Sequence, residues 1–198
     1  MKRKAIILMT AVSLLAGSST WAQLGDYDDE NYFSHTINIG VEEVALLDIE
    51  PELSATLTLG PEAPEEAGLP VVFNSTATDN SLWLNYSSII GSTTEPTRKV
   101  TVAITTGTVP DGMLLKVAAA ADAGQGDGTV GTPQGTLTLS STAQDLVTGI
   151  GSCYTGSPQN NGHNLTYTLE LNSALGSYAE LDFDAQVAVE ITYTLTDN

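Results

Sequence analysis

The chain has 198 residues, six basic side chains against 24 acidic ones, and a formal charge of −18. A surface this acidic repels phosphate backbones and anionic lipid, which argues against nucleic acid and anionic membranes as partners. The single cysteine, Cys153, excludes an intrachain disulfide, so stability must come from an apolar core, which a chain of this length can build.

In chain order, Lys2, Arg3 and Lys4 precede an apolar run from Ala5 to Ala16, and Thr20 and Ala22 supply small residues before a cleavage point. This is the layout of a bacterial secretory signal, and the run is too short to span a bilayer. Cleavage after Ala22 predicts a mature chain of residues 23–198. Only Arg98, Lys99 and Lys116 then oppose the 24 acids, for a net charge of −21. The expected location is the periplasm, the cell surface or the extracellular space. No later stretch approaches the ~20 apolar residues of a membrane helix. Residues 23–34 read as an acidic, flexible arm and residues 35–198 as one domain.

Period-two alternation dominates that domain. It places Ile37, Ile39 and Val41 on one face, then Leu53, Ala55, Leu57 and Leu59, then Leu82, Leu84 and Tyr86 with Trp83 opposite. Val100, Val102 and Ile104 follow, then Leu137 and Leu139, the run Leu165 to Leu171, and Val187 to Leu195. Such alternation sets one face of each strand on a core and the other in water. Val109-Pro110-Asp111-Gly112 is a strong turn sequence and predicts a hairpin joining 99–106 to 113–119. Residues 118–131, AAAADAGQGDGTVG, read as a wide loop between strands ending near Ala120 and starting near Thr136. One short helix is expected at Thr142–Thr148, capped by Ser141. The sum predicts an all-β, antiparallel, immunoglobulin-like β-sandwich of about 7–10 strands, with a closed barrel as the alternative.

Candidate chemistry is sparse. Asp122 and Asp127 lie among glycines and form a candidate Ca²⁺ site, although the spacing fails the EF-hand pattern. The competing reading of the same residues is a plain connector. Cys153 and His163 flank the loop 156–162 as a nominal thiol–imidazole pair, but no helix N-terminus or cation cluster is present to activate the thiol. Ser152 lacks a nucleophile elbow. Asp182 and Asp184 read as a solvated strand edge rather than a glycosidase pair. Trp83 and Tyr86 are a candidate ligand platform, weighed against packing. Gly176-Ser177-Tyr178 has the form of a tyrosine corner. No catalytic set and no cofactor are expected.

The exported small domain, its Thr-rich alternating strands, its Gly-rich turns and the terminal run Val187-Ala188-Val189-Glu190-Ile191-Thr192-Tyr193-Thr194-Leu195 resemble secreted bacterial pilus-subunit and spore-coat-U-like β-sandwich proteins. That resemblance implies assembly by strand addition, with His35–Val41 as a donor segment whose Ile37, Ile39 and Val41 fill pockets in a neighbour. The same segment also reads as an ordinary first strand. The expected function is a non-enzymatic structural or adhesive surface protein, a filament subunit being one form of it, with self-association or other surface proteins as partners. The alternative is a secreted carbohydrate- or Ca²⁺-binding module.

Overall fold

The computed structural model describes residues 34–51, 56–157, 159–174 and 177–198. The segment expected to be a secretory signal and all of the expected acidic arm but residue 34 lie outside them. The chain divides into two units at Ile39/Gly40. In the first, residues 34–39 have no regular secondary structure, and Ile37 and Ile39 are exposed. No helix among the described residues is long and apolar enough to cross a membrane.

The second unit is antiparallel β-structure. Its strands are β1 (Val44–Glu50), β2 (Thr78–Ile89), β3 (Arg98–Thr106), β4 (Met113–Asp122), β5 (Asp127–Pro133), β6 (Thr136–Thr138), β7 (Gln144–Tyr154), β8 (His163–Leu171) and β9 (Glu190–Asp197). Two 3-10 turns, Ser75–Ala77 and Ser177–Glu180, complete the regular structure. Hydrogen bonding runs β6-β4-β8-β2-β7-β3-β9, with β1 on β2 and β5 on β7. The long strand β2 is where the sheet changes direction. Its first part pairs with β8 as far as Leu84, while Ser87 and Ser88 pair with Tyr154 and Cys153 of β7. Two wings result, β6-β4-β8-β2-β1 and β5-β7-β3-β9.

The wings face one another across one core. Leu115, Val117, Leu165, Tyr167 and Leu169 come from β4 and β8, and Val100, Val102, Ile104, Leu146 and Ile150 from β3 and β7. Each buried side chain of this size contributes about 1.5–3 kcal/mol, so this shared interior holds the sandwich closed. Polar bonds also cross the gap. The Tyr167 hydroxyl of β8 meets the Tyr193 hydroxyl of β9, and the Tyr86 hydroxyl of β2 meets the Val130 carbonyl of β5.

Several expectations are corrected. Thr142–Thr148 is not helical, because Gln144 onwards is strand β7. Two register shifts against β3 break its alternation and put Leu146 and Val147 both inside, which hides the strand from a period-two search. The Pro110-Asp111 turn forms, with Gly112 at φ +77° and Met113 N–H bonded to Pro110 O. It does not close a hairpin, since β3 pairs with β7 and β9 while β4 pairs with β6 and β8. The turn instead carries the chain between wings. The long 118–135 connector is largely strand: β4 runs to Asp122, and Asp127–Pro133 pairs with β7 as β5.

His35–Val41 is not a strand; the first strand is β1, which pairs with β2 over Trp83–Ile89. Strand β1 escaped the sequence reading because Leu46 and Leu47 are consecutive: Leu47 packs on the core and Leu46 is exposed. Leu53 and Ala55 lie outside the described residues. Leu57 and Leu59 pack against the core without pairing as a strand. Asp182 and Asp184 sit in a turn, where Asp182 accepts the Asp184 N–H, and not on a strand edge.

Candidate functional site

Polar side chains concentrate inside the sandwich at two places, and the same sequence signal produces both. On β3 the inward face reads Arg98, Val100, Val102, Ile104, and on β8 it reads His163, Leu165, Tyr167, Leu169. Alternation therefore carries one arginine and one histidine to the apolar side.

Arg98 is 1% exposed. Its guanidinium donates to Asp197 (2.8 Å) and the Ile89 carbonyl (3.2 Å), and lies 3.4 Å from Glu95. It also bonds Glu43 and the Val44 carbonyl. A fork of five donors suits such a set of acceptors. The hydrogen bond to Asp197, ahead of the charges of Asp197, Glu43 and Glu95, holds the guanidinium charged more firmly than usual, against the opposing effect of burial. The result is a pin joining the start of β1, the end of β2 and the end of β9.

His163 is fully buried and joins a second network. Its Nε2 is 2.7 Å from the Tyr86 hydroxyl, its Nδ1 is 2.8 Å from the Ala120 carbonyl, and the Tyr86 and His163 rings stack. Thr155, also buried, accepts the Tyr86 N–H at 3.0 Å. Burial first, then the charges of Cys153 and Asp122, pushes the Tyr86 phenol far above its ordinary range. Burial and Asp122 push the Cys153 thiol up to about 11. Cys153 is thus a neutral buried thiol, and both nitrogens of His163 are engaged elsewhere. The geometry does not build a thiol nucleophile with its base.

The remaining predicted residues are dispersed. Asp122 uses Oδ2 to accept the Gly124 N–H, and Asp127 uses Oδ1 to accept the Gly128 N–H, so each closes its own turn. No group of three or more His, Cys, Asp or Glu side chains arranged to hold a metal occurs among the described residues. Gly126 and Gly128 have a packing role instead. A Cβ on them would lie 1.7 Å from the Tyr154 carbonyl and 2.2 Å from the Ser152 carbonyl, so these glycines let β5 approach β7. Tyr86 faces the core, whereas Trp83 is half-buried on the opposite face, in register with Glu50 and Asn164. The two do not form one platform. An open groove of about 460 Å³ beside Leu59, Glu62, Thr76 and Asp79 has no aromatic lining on which a sugar would stack. Tyr178 accepts the distant Val71 N–H at 3.2 Å, unlike a tyrosine corner, whose hydroxyl bonds a carbonyl a few residues upstream; Gly176 lies outside the described residues. Ile37, Ile39 and Val41 are 68%, 90% and 81% exposed.

Neither the Arg98 pin nor the His163–Tyr86 network was anticipated. The signal for both was available, because extending the apolar alternation of β3 and β8 backwards by one step lands on each residue. Comparison with protein-family models, with curated proteins and with solved structures finds no match to this chain.

Proposed function

We propose that the chain is an exported, non-enzymatic structural or adhesive surface protein, a filament-type subunit that self-associates through strand edges. The observation that carries this reading is the segment 34–43. It has no regular secondary structure, yet three alternating apolar side chains, Ile37, Ile39 and Val41, stand exposed in it. Period-two spacing is what an added strand needs to seat one face in a neighbour, and exposed apolar surface gives it a reason to leave water. Free strand edges suit the same purpose: among the described residues β9 pairs with β3 alone and β1 with β2 alone. The Arg98 pin anchors Glu43 and Val44, so the segment is tethered at its C-terminal end.

Sedimentation of the mature chain over a wide concentration range tests the proposal. Concentration-dependent multimers are expected from residues 23–198. Monomers are expected from residues 43–198 and from the triple variant Ile37→Ser, Ile39→Ser, Val41→Ser. A monomeric mature chain, or equal assembly by all three proteins, overturns the reading.

A further inference from the structure

Arg98, Lys99 and Lys116 are the only basic side chains of residues 23–198, and each is engaged within its own chain. Arg98 pairs with Glu43, Glu95 and Asp197, Lys99 with Asp145 at 2.9 Å, and Lys116 with Glu170. No Lys or Arg is left over to meet an acid of a second copy. The charged surfaces of two copies therefore repel, and contact between them falls to uncharged surface.

Uncharged surface is concentrated in two places. In the sequence, residues 31–41 carry no acid between Glu30 and Glu42, and they include the exposed Ile37, Ile39 and Val41. In the fold, Ile191–Thr196 of β9 carries no acid between Glu190 and Asp197. Among the described residues β9 is an edge, paired with β3 alone. The other edges are poorer acceptors. Strand β1 presents Asp48 and Glu50, and β6 is only three residues long. Strand β5 ends in Pro133, and Gly128 and Gly131 at positive φ, with a register shift after Gly128, make it irregular.

The β9 edge also leaves the core incompletely covered. Val100, Val102 and Ile104 of β3 are buried, but their register partners on β9, Leu195, Tyr193 and Ile191, are only partly buried. One more strand beside β9, apolar at every second residue, would finish that cover. The other face of β9 shows exposed Thr192 and Thr194. Thr36 and Asn38 of an added strand are suitable polar neighbours for them.

We propose that the β9 edge is the acceptor for a second copy of this chain: residues 35–41 of one copy lie along Ile191–Thr196 of the next, with Ile37, Ile39 and Val41 over Ile191, Tyr193 and Leu195. This acceptor rests on the self-association proposed above, whose donor segment it completes. Donor and acceptor are different surfaces and each copy carries both, so the contact is heterologous and extends into an open chain. The joined surfaces are neutral while the rest of each copy is negative. Salt therefore strengthens the association by screening the repulsion.

Sedimentation and hydrogen exchange of residues 23–198 test the assignment. From about 10 mM to about 1 M NaCl the screening length falls from about 30 Å to about 3 Å, and the association constant is expected to rise at least about tenfold. A fall with salt would mean that ion pairs join the copies and overturns the proposal. In the multimer, amides of Ile191–Thr196 are expected to gain protection while those of β1 keep their monomer rates. At about 0.15 M NaCl, Thr194→Asp is expected to weaken association at least about tenfold and Leu46→Asp on β1 to leave it unchanged, with Trp83 fluorescence confirming that both variants fold. Multimers without protection at β9, or equally weakened by both variants, overturn the acceptor and leave the self-association standing. Protection of β9 in a monomer, lost on deleting residues 23–42, means that the segment covers its own domain and overturns the proposal. A chain that stays monomeric at every salt concentration overturns both.

Discussion

Replacing Arg98 by methionine keeps most of the buried volume and removes the pin. Three carboxylates lose their partner, but Glu43, Asp197 and Glu95 have side chains 61%, 52% and 35% exposed, so water replaces much of what they lose. Exposed ion pairs of this kind contribute about 0–1 kcal/mol each. The Val44 and Ile89 carbonyls fare worse, because hydrogen bonds to a charged donor contribute about 1.5–3 kcal/mol each and methionine offers nothing in return. Removing a buried cation also relieves its own desolvation, which offsets roughly the share from the acids. The net expectation is a loss of about 3 kcal/mol. In a domain of this size that lowers Tm by about 6–12 °C. With an m-value of about 2 kcal/mol/M, it lowers the urea midpoint by about 1.5 M. Trp83, the one tryptophan of residues 23–198, reports the transition by fluorescence. Arg98→Lys should recover less than half, because an ammonium cannot reproduce the planar fork. A loss below about 1 kcal/mol for Arg98→Met would show that the acids and carbonyls resolvate freely and that the pin contributes nothing to stability.

Glycine substitutions separate backbone approach from backbone conformation. Gly126→Ala and Gly128→Ala should each cost more than about 2 kcal/mol, since both place a Cβ against β7 carbonyls. Gly124→Ala, at φ +75° in open space, should cost only about 1 kcal/mol in the same denaturation assay. For the Tyr167–Tyr193 pair, either single change to phenylalanine strands a buried hydroxyl and should cost about 1–3 kcal/mol, while the double variant should lose less than the sum of the two. Additive losses in that cycle would mean that the hydroxyls do not interact. With its thiol pushed up to about 11, native Cys153 should be alkylated by iodoacetamide at pH 8 at least ~100-fold more slowly than in urea. Equal rates would contradict its burial.

The sequence by itself determined the acidity, the all-β class and, for the strands that alternate cleanly, which side chains share a face. Alternation is a local property of extended chain, so β3, β8 and the Leu82–Tyr86 stretch were legible from it. The Pro110-Asp111-Gly112 turn was legible for the same reason, because φ preferences belong to the residues themselves. Only the tertiary structure decided partners. Which strand lies beside which depends on contacts distant in sequence, so the turn after β3 led to the other wing rather than into a hairpin. Strand β5 became visible only where Gly126 and Gly128 meet the carbonyls of β7. Strand β7 stayed hidden because its bulges follow from pairing with β3 and not from its own residues. The polar interior divides in the same way. Alternation carries Arg98 and His163 inward, but the acids and carbonyls that satisfy Arg98 come from β1, β9, the end of β2 and the turn before β3. Those that hold His163 come from β2 and β4, and through Tyr86 from β5. A buried charge is tolerable only where distant segments converge to satisfy it, and that convergence is a property of the folded chain.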